Sequence, residues 1–547
     1  MKSLSFPKVT GSHADVLAAT GAADLLNHLD PVLTDTGNQI ELSLDRKAVA
    51  SDIEGIGPGF KYLKAGGSES TEDEEKAKKK KAAKRPPAVI PQSMIFDYTL
   101  ENEKYKRQMA AKASKDNAVV EAAQQDRPDP DFRTYRIVKS LQAESGLNKF
   151  IEQFCLLLPE QRESAILNGL NGAPEFFFES PVVQLFNPQA AKGYSLLKPS
   201  GTDRNDKTKE KWAQPLLEWL RYRGFFAGSA GWFLGSKGEN IRVYTPIPRR
   251  IPFSVYREVT SQFRSESLAG SGPKMDCLGI LRLTRILIDQ ALAPPSRSIS
   301  GVWVTHYQSL GQVRAVTSID QLAIPNWFVP NSQADTVLWL GTLEEHDKIL
   351  RRLDDDISEE LGLLKQYRQF LQGKEHEAMT ELAKFLADYG HHIFRLRGQG
   401  KWLLPQFTRE KVEAILQPSY KQILDNPGFR AVADAIRSAT VSAQVAKKKN
   451  ADHREIQYGT LPELRRKISA GRDDFMQAVS EFVSTFNAES ARRYEQGKSG
   501  YRISQDDFAA FAQLLDDHPG GWETVGTLLC AMATCKLGKE DKEDSPE

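Results

Sequence analysis

Cysteine is scarce in this chain, with only Cys155, Cys277, Cys530 and Cys535 among 547 residues. The last two sit five apart inside "TLLCAMATCKLG", which reads as one helix. They lie diagonally on its surface, as small buried apolar groups rather than half of a metal site. No disulfide framework is expected, and a reducing compartment accords with this usage. Long hydrophobic runs are missing too. No stretch approaches the roughly 18 to 20 apolar residues of a membrane span, and the opening "MKSLSFPKVTGSHADVLAAT" lacks the apolar core of a signal peptide. The expectation is a cytoplasmic protein with no membrane partner. Charge of one sign is not in excess: 73 Lys and Arg face 72 Asp and Glu, a net charge of +1. That excludes a simple polycation coating nucleic acid but leaves room for local basic surfaces.

Catalytic signatures are also lacking. There is no Gly-rich phosphate loop ending in Gly-Lys-Ser/Thr, no Gly-x-Ser-x-Gly elbow and no His-Glu-x-x-His helix. The chain therefore reads as a non-enzyme, with no cofactor and no metal. One catalytic alternative survives among the nine histidines. His346 with Asp347, His391 with His392, and Asp452 with His453 form clusters of the kind a metal-dependent nuclease uses. His346 and Asp347 fall in a charged turn of a long helix, where solvent exposure is expected.

The residues that are present divide the chain. Its length points to about two to four domains. "HADVLAATGAADLLNHLD" reads as a helix with an interruption at Gly21, and "NQIELSLD" alternates as a strand. "GIGPGFKYL" is loop chemistry. Residues 66–87, "GGSESTEDEEKAKKKKAAKRPP", set an acidic block against a lysine block without one large apolar side chain, and read as a disordered insertion. Further on, "YKRQMAAKASKDNAVVEAAQQ" looks helical, while "EFFFESPVVQLFNP", "IRVYTPIPRRIPFSVY" and "GVWVTHYQSLGQVRAVTSI" carry the aromatic and β-branched enrichment of strands. After residue 336, "EEHDKILRRLDDDISEELGLLKQYRQFL" spaces Leu350, Leu353, Ile357, Leu361, Leu364 and Tyr367 as one long amphipathic helix. "DDFMQAVSEFVSTFNAESARRYEQG" repeats the pattern and ends at Gly497, and Ser504 with Asp507 opens another helix. The fold class read from this is α+β: a mixed N-terminal and central region with a sheet, then a C-terminal α-helical bundle. The divisions are 1–65, the insertion 66–90, the α+β region 91–335 and the bundle 336–547.

Aromatics and cations crowd together in "KWAQPLLEWLRYRGFFAGSAGWF", residues 211–233. Leu216, Leu217, Trp219 and Leu220 give a helix from about Gln214 to Tyr222 an apolar face, and Gly224 is its expected stop. Around it lie Lys192, Lys198, Arg204, Lys207, Lys209 and Lys211 upstream, and Arg221, Arg223, Lys237, Arg242, Arg249 and Arg250 downstream. Loops rich in cations, with exposed aromatics, have the composition of a surface that grips phosphates and stacks on bases. A second basic surface is expected on the bundle from Lys447, Lys448, Lys449, Arg454, Arg465, Arg466, Lys467, Arg472, Arg492 and Arg493. Arg465 and Arg466 would line one side of a groove.

Taken together, "GSHADVLAATGAADLL", "WAQPLLEWLRYRGFFAG" and a mixed region followed by a helical bundle resemble the large subunit of the type I CRISPR effector complex Cascade, most closely that of type I-B and related systems. The Cys-x-x-Cys zinc elements of some members are absent here. The resemblance implies a non-catalytic subunit of an RNA-guided antiviral complex that recognises the protospacer-adjacent motif in duplex DNA, helps open the duplex, holds the displaced strand of the R-loop and docks a helicase-nuclease. The implied partners are the guide RNA complex, target DNA, the backbone subunits, the small subunit and the helicase-nuclease. Lys61, Lys64, Lys192, Lys198, Arg204, Lys207, Lys209, Arg249 and Arg250 would then serve motif reading. Lys447, Lys448, Lys449, Arg454, Arg465, Arg466, Arg472, Arg492 and Arg493 would follow the displaced strand. The bundle would resemble the small subunit, and Met379 is a candidate internal start for it. A protein-binding scaffold is a further alternative.

Overall fold

Ser12 opens the first helix, α1 (His13–Leu25), in the computed structural model of the chain. Its hydroxyl accepts from Ala14 N at 3.3 Å, while the Asp15 carboxylate takes the N–H groups of Thr10 and Gly11. Such a box satisfies two of the donors that a helix start leaves without partners inside the helix. The structure describes residues 3–8, 10–53, 56–64, 88–112, 126–141, 144–158, 215–234, 240–290, 295–310, 313–325, 332–373, 375–498 and 501–537, with single positions between 160 and 170. The insertion at 66–87, the strand read in "EFFFESPVVQLFNP", and the loop carrying Lys192, Lys198, Arg204, Lys207, Lys209 and Lys211 lie outside the described residues, as does Lys237.

The chain is α+β with a C-terminal helical bundle. Its first unit comprises Met1–Gly272 and Asp289–Ile324, and its second Pro273–Ile288 and Pro325–Glu547. In the first unit, one antiparallel sheet runs in the order β1 (Ser3–Pro7), β3 (Gln39–Ser43), β2 (Val32–Asp35), β8 (Arg250–Pro252). A second antiparallel sheet runs β10 (Val313–Ala323), β9 (Ile299–Leu310), β7 (Asn240–Pro248), β6 (Ala230–Leu234). The short strands β4 (Tyr62–Lys64) and β5 (Ile95–Asp97) pair in parallel. Further helices of this unit include α2 (Tyr98–Lys112), α3 (Phe132–Ser140), α4 (Glu144–Leu156), α5 (Pro215–Gly228) and α6 (Phe253–Ser265).

At the centre, α1 crosses α5 at unusually short range. A Cβ on Gly21 would lie 1.8 Å from the Leu220 carbonyl oxygen, and one on Gly224 would lie 1.9 Å from that of Leu17. Neither glycine therefore interrupts its helix, contrary to the reading of Gly21 as a break and Gly224 as a stop. Both exist because only a missing side chain lets two backbones approach this closely. Trp219 is buried, as its place on the apolar face of the helix implies, and the expectation of exposed aromatics around it is corrected: Tyr222, Phe225, Phe226 and Trp232 are all buried too. Phe226 stacks on Phe60 and Trp219 on Phe150. The Trp219 indole donates to the Pro58 carbonyl at 2.7 Å and Arg223 to the Gly57 carbonyl at 2.9 Å, which ties the "GIGPGF" loop to α5.

The second unit begins with α7 (Gly272–Asp289), which lies within the stretch the sequence assigns to the mixed region. It continues through α8 (Gln333–Arg352), α9 (Ser358–Gln372), α10 (Glu375–Gly398), α11 (Arg409–Leu424) and α12 (Pro427–Arg437). A π-helical turn, Ser438–Ser442, leads into α13 (Ala443–Lys448), followed by α14 (Thr460–Ala470), α15 (Arg472–Glu495), α16 (Gln505–Asp517) and α17 (Gly521–Thr534). The long helix expected across residues 344–371 is two helices, α8 and α9. Leu353 is extended, Glu360 accepts from the Asp354 N–H at 2.6 Å, and Lys274 donates to the Leu353 carbonyl at 2.6 Å. Three successive aspartates offer the backbone such alternatives to a helix, and apolar spacing does not register them. The caps at Ser504 and Gly497 follow the sequence: Ser504 accepts from Asp507 N at 3.0 Å, and Gly497 has φ +71. Among the described residues, no helix is long and apolar enough to cross a membrane.

Candidate nucleic-acid interface

The cations named from the sequence meet very different fates. On the first unit, Lys61 pairs with Asp129 at 3.7 Å and Lys64 with Asp97 at 3.8 Å. Arg249 and Arg250 are exposed at the corner where the chain leaves β7 for β8 and so passes from one sheet to the other. The "PIPRRIP" bend is held there by main-chain bonds, with Arg249 N donating to the Ser298 carbonyl and Asp35 N to the Arg249 carbonyl. Arg221 and Arg223 are buried, and Arg223 reaches Asp24 at 2.6 Å. They belong to the core of the α1–α5 crossing and not to a phosphate-gripping surface.

On the bundle, Lys447 and Lys448 occupy the last turn of α13 and Lys449 caps it, with Asn450 in the left-handed region at φ 53. All four are exposed. The π-helical turn just before them inserts an extra residue into the helical register, and such turns recur at functional sites. The ammonium of Lys448 lies 4.5 Å from the Trp402 ring centre, and the guanidinium of Arg397 lies 4.8 Å from it. Trp402 itself is half-buried, in the loop "GQGKWLLP" after α10.

Beside the π-helical turn is a cavity of about 480 Å³ lined by Ser438, Ser442, His453, Arg454, Arg493 and Tyr501, among others. Arg454 is buried, with its guanidinium 4.2 Å from the Phe486 ring centre. Its nearest carboxylate, Glu489, stands 3.8 Å away, and its Nη1 has no hydrogen-bond partner among the described residues. Burial pushes the Arg454 pKa down, working against its charge. A buried cation with an unused donor, facing a cavity, is set up to receive an anion. Next to it, Arg493 pairs with Asp452 at 2.5 Å and donates to the His453 carbonyl at 3.0 Å. Lys498 and Arg493 together hold the Asp452 carboxyl below its usual range.

The rest of the proposed track is less available. Arg465 pairs with Asp388, while Arg472 pairs with Asp516 at 2.5 Å and Asp473 at 2.7 Å. Lys467 pairs with Asp474 at 2.6 Å. Arg466 remains exposed, with Glu463 at 3.7 Å, and Arg492 is exposed. The stretch named from the sequence includes Arg454, which lines this cavity, and Lys448, which meets Trp402. It misses Trp402, Arg397 and Tyr501, whose only local signal is an isolated aromatic in a glycine- and lysine-rich loop.

Of the histidine clusters, Asp452 with His453 lies in the loop after α13, and the other two lie on helices. His346 and Asp347 are buried, a correction to the exposure expected from their charged surroundings. The reason is packing on both sides of α8: His346 Nδ1 lies 2.7 Å from the Tyr367 hydroxyl of α9, and Asp347 accepts from Arg282 of α7 at 2.7 Å. His392 lies 2.9 Å from Glu360 and 3.1 Å from Glu359. Among the described residues, no group of three or more His, Cys, Asp or Glu side chains is arranged to hold a metal ion. Met379 is buried in α10, which packs through Phe385 against Tyr367 of α9. Compared with known proteins, the chain matches no family model and no curated protein.

Proposed function

We propose that this chain is a non-catalytic nucleic-acid-holding subunit of an RNA-guided DNA-surveillance complex, and that its helical unit grips a displaced single strand. What carries the reading is the meeting of Lys448 and Arg397 on Trp402, with Lys447 and Lys449 alongside. Cations that track a backbone, interleaved with aromatics on which bases stack, are the working parts of single-strand binding without sequence preference. The cavity at Arg454 and Tyr501 supplies a second anion-receiving position on the same unit. In this reading the first unit meets the duplex, with Arg249 and Arg250 at the sheet corner contacting phosphates beside the motif. Base pairing to a guide RNA supplies sequence choice, and a separate helicase-nuclease cuts.

The test is filter binding of the full chain to a single-stranded oligonucleotide across a salt series. Lys447→Glu with Lys448→Glu is expected to weaken binding and flatten the salt dependence by roughly one slope unit per lost phosphate contact. Trp402→Ala is expected to cost about 1–3 kcal/mol with little change in slope, because stacking releases no counterions. Affinity and slope that stay at the wild-type level in both variants would remove the reading.

A further inference from the structure

The first unit contains an arginine-lined cavity that the proposed strand grip does not use. It encloses about 600 Å³ between the ends of α1, α2, α5 and α6 and the start of α3. Five arginines line it, Arg127, Arg133, Arg223, Arg257 and Arg264, against three aspartates, Asp24, Asp129 and Asp131. Such an imbalance calls for an explanation, because like charges lining one cavity repel.

Part of the explanation is structural. Arg264 donates to the Phe226 and Ser229 carbonyls at the end of α5, and Arg133 to the Arg264 and Glu266 carbonyls at the end of α6. These are the unpaired acceptors and the negative pole of each helix, so both guanidiniums serve as C-terminal anchors. The carboxylates account for a further part. Arg223 takes Asp24 at 2.6 Å, Arg264 faces Asp131 at 3.6 Å, and Asp129 is drawn to Lys61. Two cations remain unaccounted for. Arg127 and Arg257 are exposed at the rim, and neither makes a hydrogen bond or ion pair among the described residues. Burial also pushes the pKa values of Arg133, Arg223 and Arg264 down, so the walls hold their charge at a cost.

Aromatic side chains also line the cavity. Phe132 and Phe226 are buried there, and half-buried Tyr105 leans on Phe132 with ring centres 5.4 Å apart. The volume falls in the range of about 300–1,000 Å³ typical of sites for nucleotide-sized ligands. A single inorganic phosphate would leave most of it empty.

From this juxtaposition we propose that the cavity between α1, α2, α3, α5 and α6 binds a nucleotide bearing two or more phosphates, with Arg257 and Arg127 closing on the phosphates and the aromatic side chains facing the base. Guanidiniums match phosphate oxygens two at a time, and the fixed anchors Arg264 and Arg133 hold the field in place before the ligand arrives.

The experiment is calorimetric titration of the full chain with ADP, adenosine and inorganic pyrophosphate. ADP is expected to bind and adenosine not to. Arg257→Glu and Arg127→Glu are each expected to weaken ADP by about tenfold or more, the loss of one charge-assisted hydrogen bond. Both side chains lie outside the packing of the unit, so unchanged thermal unfolding is the control for folding. Pyrophosphate binding as tightly as ADP would assign the site to the phosphate groups alone, and loss of that binding in the same variants would still support it. No binding of ADP or pyrophosphate at millimolar concentration, or affinities unchanged in both variants, would overturn it. The Lys447→Glu, Lys448→Glu protein should take up ADP normally, so failure here and failure of the strand-binding reading are told apart.

Discussion

His13 and His346 show what one side chain contributes. Burial, aided by Arg221 for the first and opposed by Glu345 for the second, lowers their pKa values from 6.5 to about 3 and about 4. The folded values lie below the unfolded one, so the unfolded chain takes up protons first as pH falls. Their contribution to stability is complete above the unfolded pKa and is lost as pH drops toward the folded values. Over roughly pH 6 to 4, each group is expected to weaken folding by up to about 1.4 kcal/mol per pH unit. Urea unfolding at several pH values should show a shallower acid limb in His346→Gln, where an amide can still meet the Tyr367 hydroxyl. A limb of unchanged slope would assign the acid sensitivity to other groups. Asp276 is the opposite case, a buried carboxylate held by Arg368 at 2.7 Å. Asp276→Ala should cost about 1.5–3 kcal/mol, since the charge-assisted hydrogen bond that Arg368 makes to a fully buried carboxylate is lost. Stability within 1 kcal/mol of wild type, by about the precision of such measurements, would mean that Arg368 finds another acceptor.

Between elements, two features stand out because periodicity does not report them. The first is the Gly21–Gly224 crossing. Gly224→Ala places a methyl group against the Leu17 carbonyl, with no flexible atom to yield, and should lower stability by about 3 kcal/mol or more. Near-wild-type unfolding would show that α1 and α5 can separate. The second is the π-helical turn Ser438–Ser442. Its extra residue sets the direction in which Lys447 and Lys448 leave the bundle. Deleting Ala439 removes the widened turn together with a buried side chain and should displace the end of α13 from Trp402. Single-strand affinity is then expected to fall to that of the Lys447→Glu, Lys448→Glu protein, with circular dichroism unchanged. Retained affinity would mean that the helix direction is immaterial to binding.

For the whole molecule, the two units divide the ionic chemistry differently. On the bundle several cations are closely paired with carboxylates, as in Arg465 with Asp388 and Arg472 with Asp516. Salt should therefore act on binding mainly through the end of α13, and a mild salt slope in the full chain is expected. A slope implying many released counterions would point to additional contacts outside the described residues. The sequence alone determined the class, because period-2 and period-3.6 apolar spacing is a property of consecutive residues and survives in any context. It also determined the caps at Ser504 and Gly497. Only the tertiary structure decided which charges are free. Carboxylates 44 and 77 positions away, Asp516 for Arg472 and Asp388 for Arg465, neutralise arginines that look alike in sequence. It also buried His346 and the aromatics of residues 222–232, and brought Trp402 under Lys448. Burial and pairing depend on distances between segments remote along the chain, and a linear pattern carries no record of those distances.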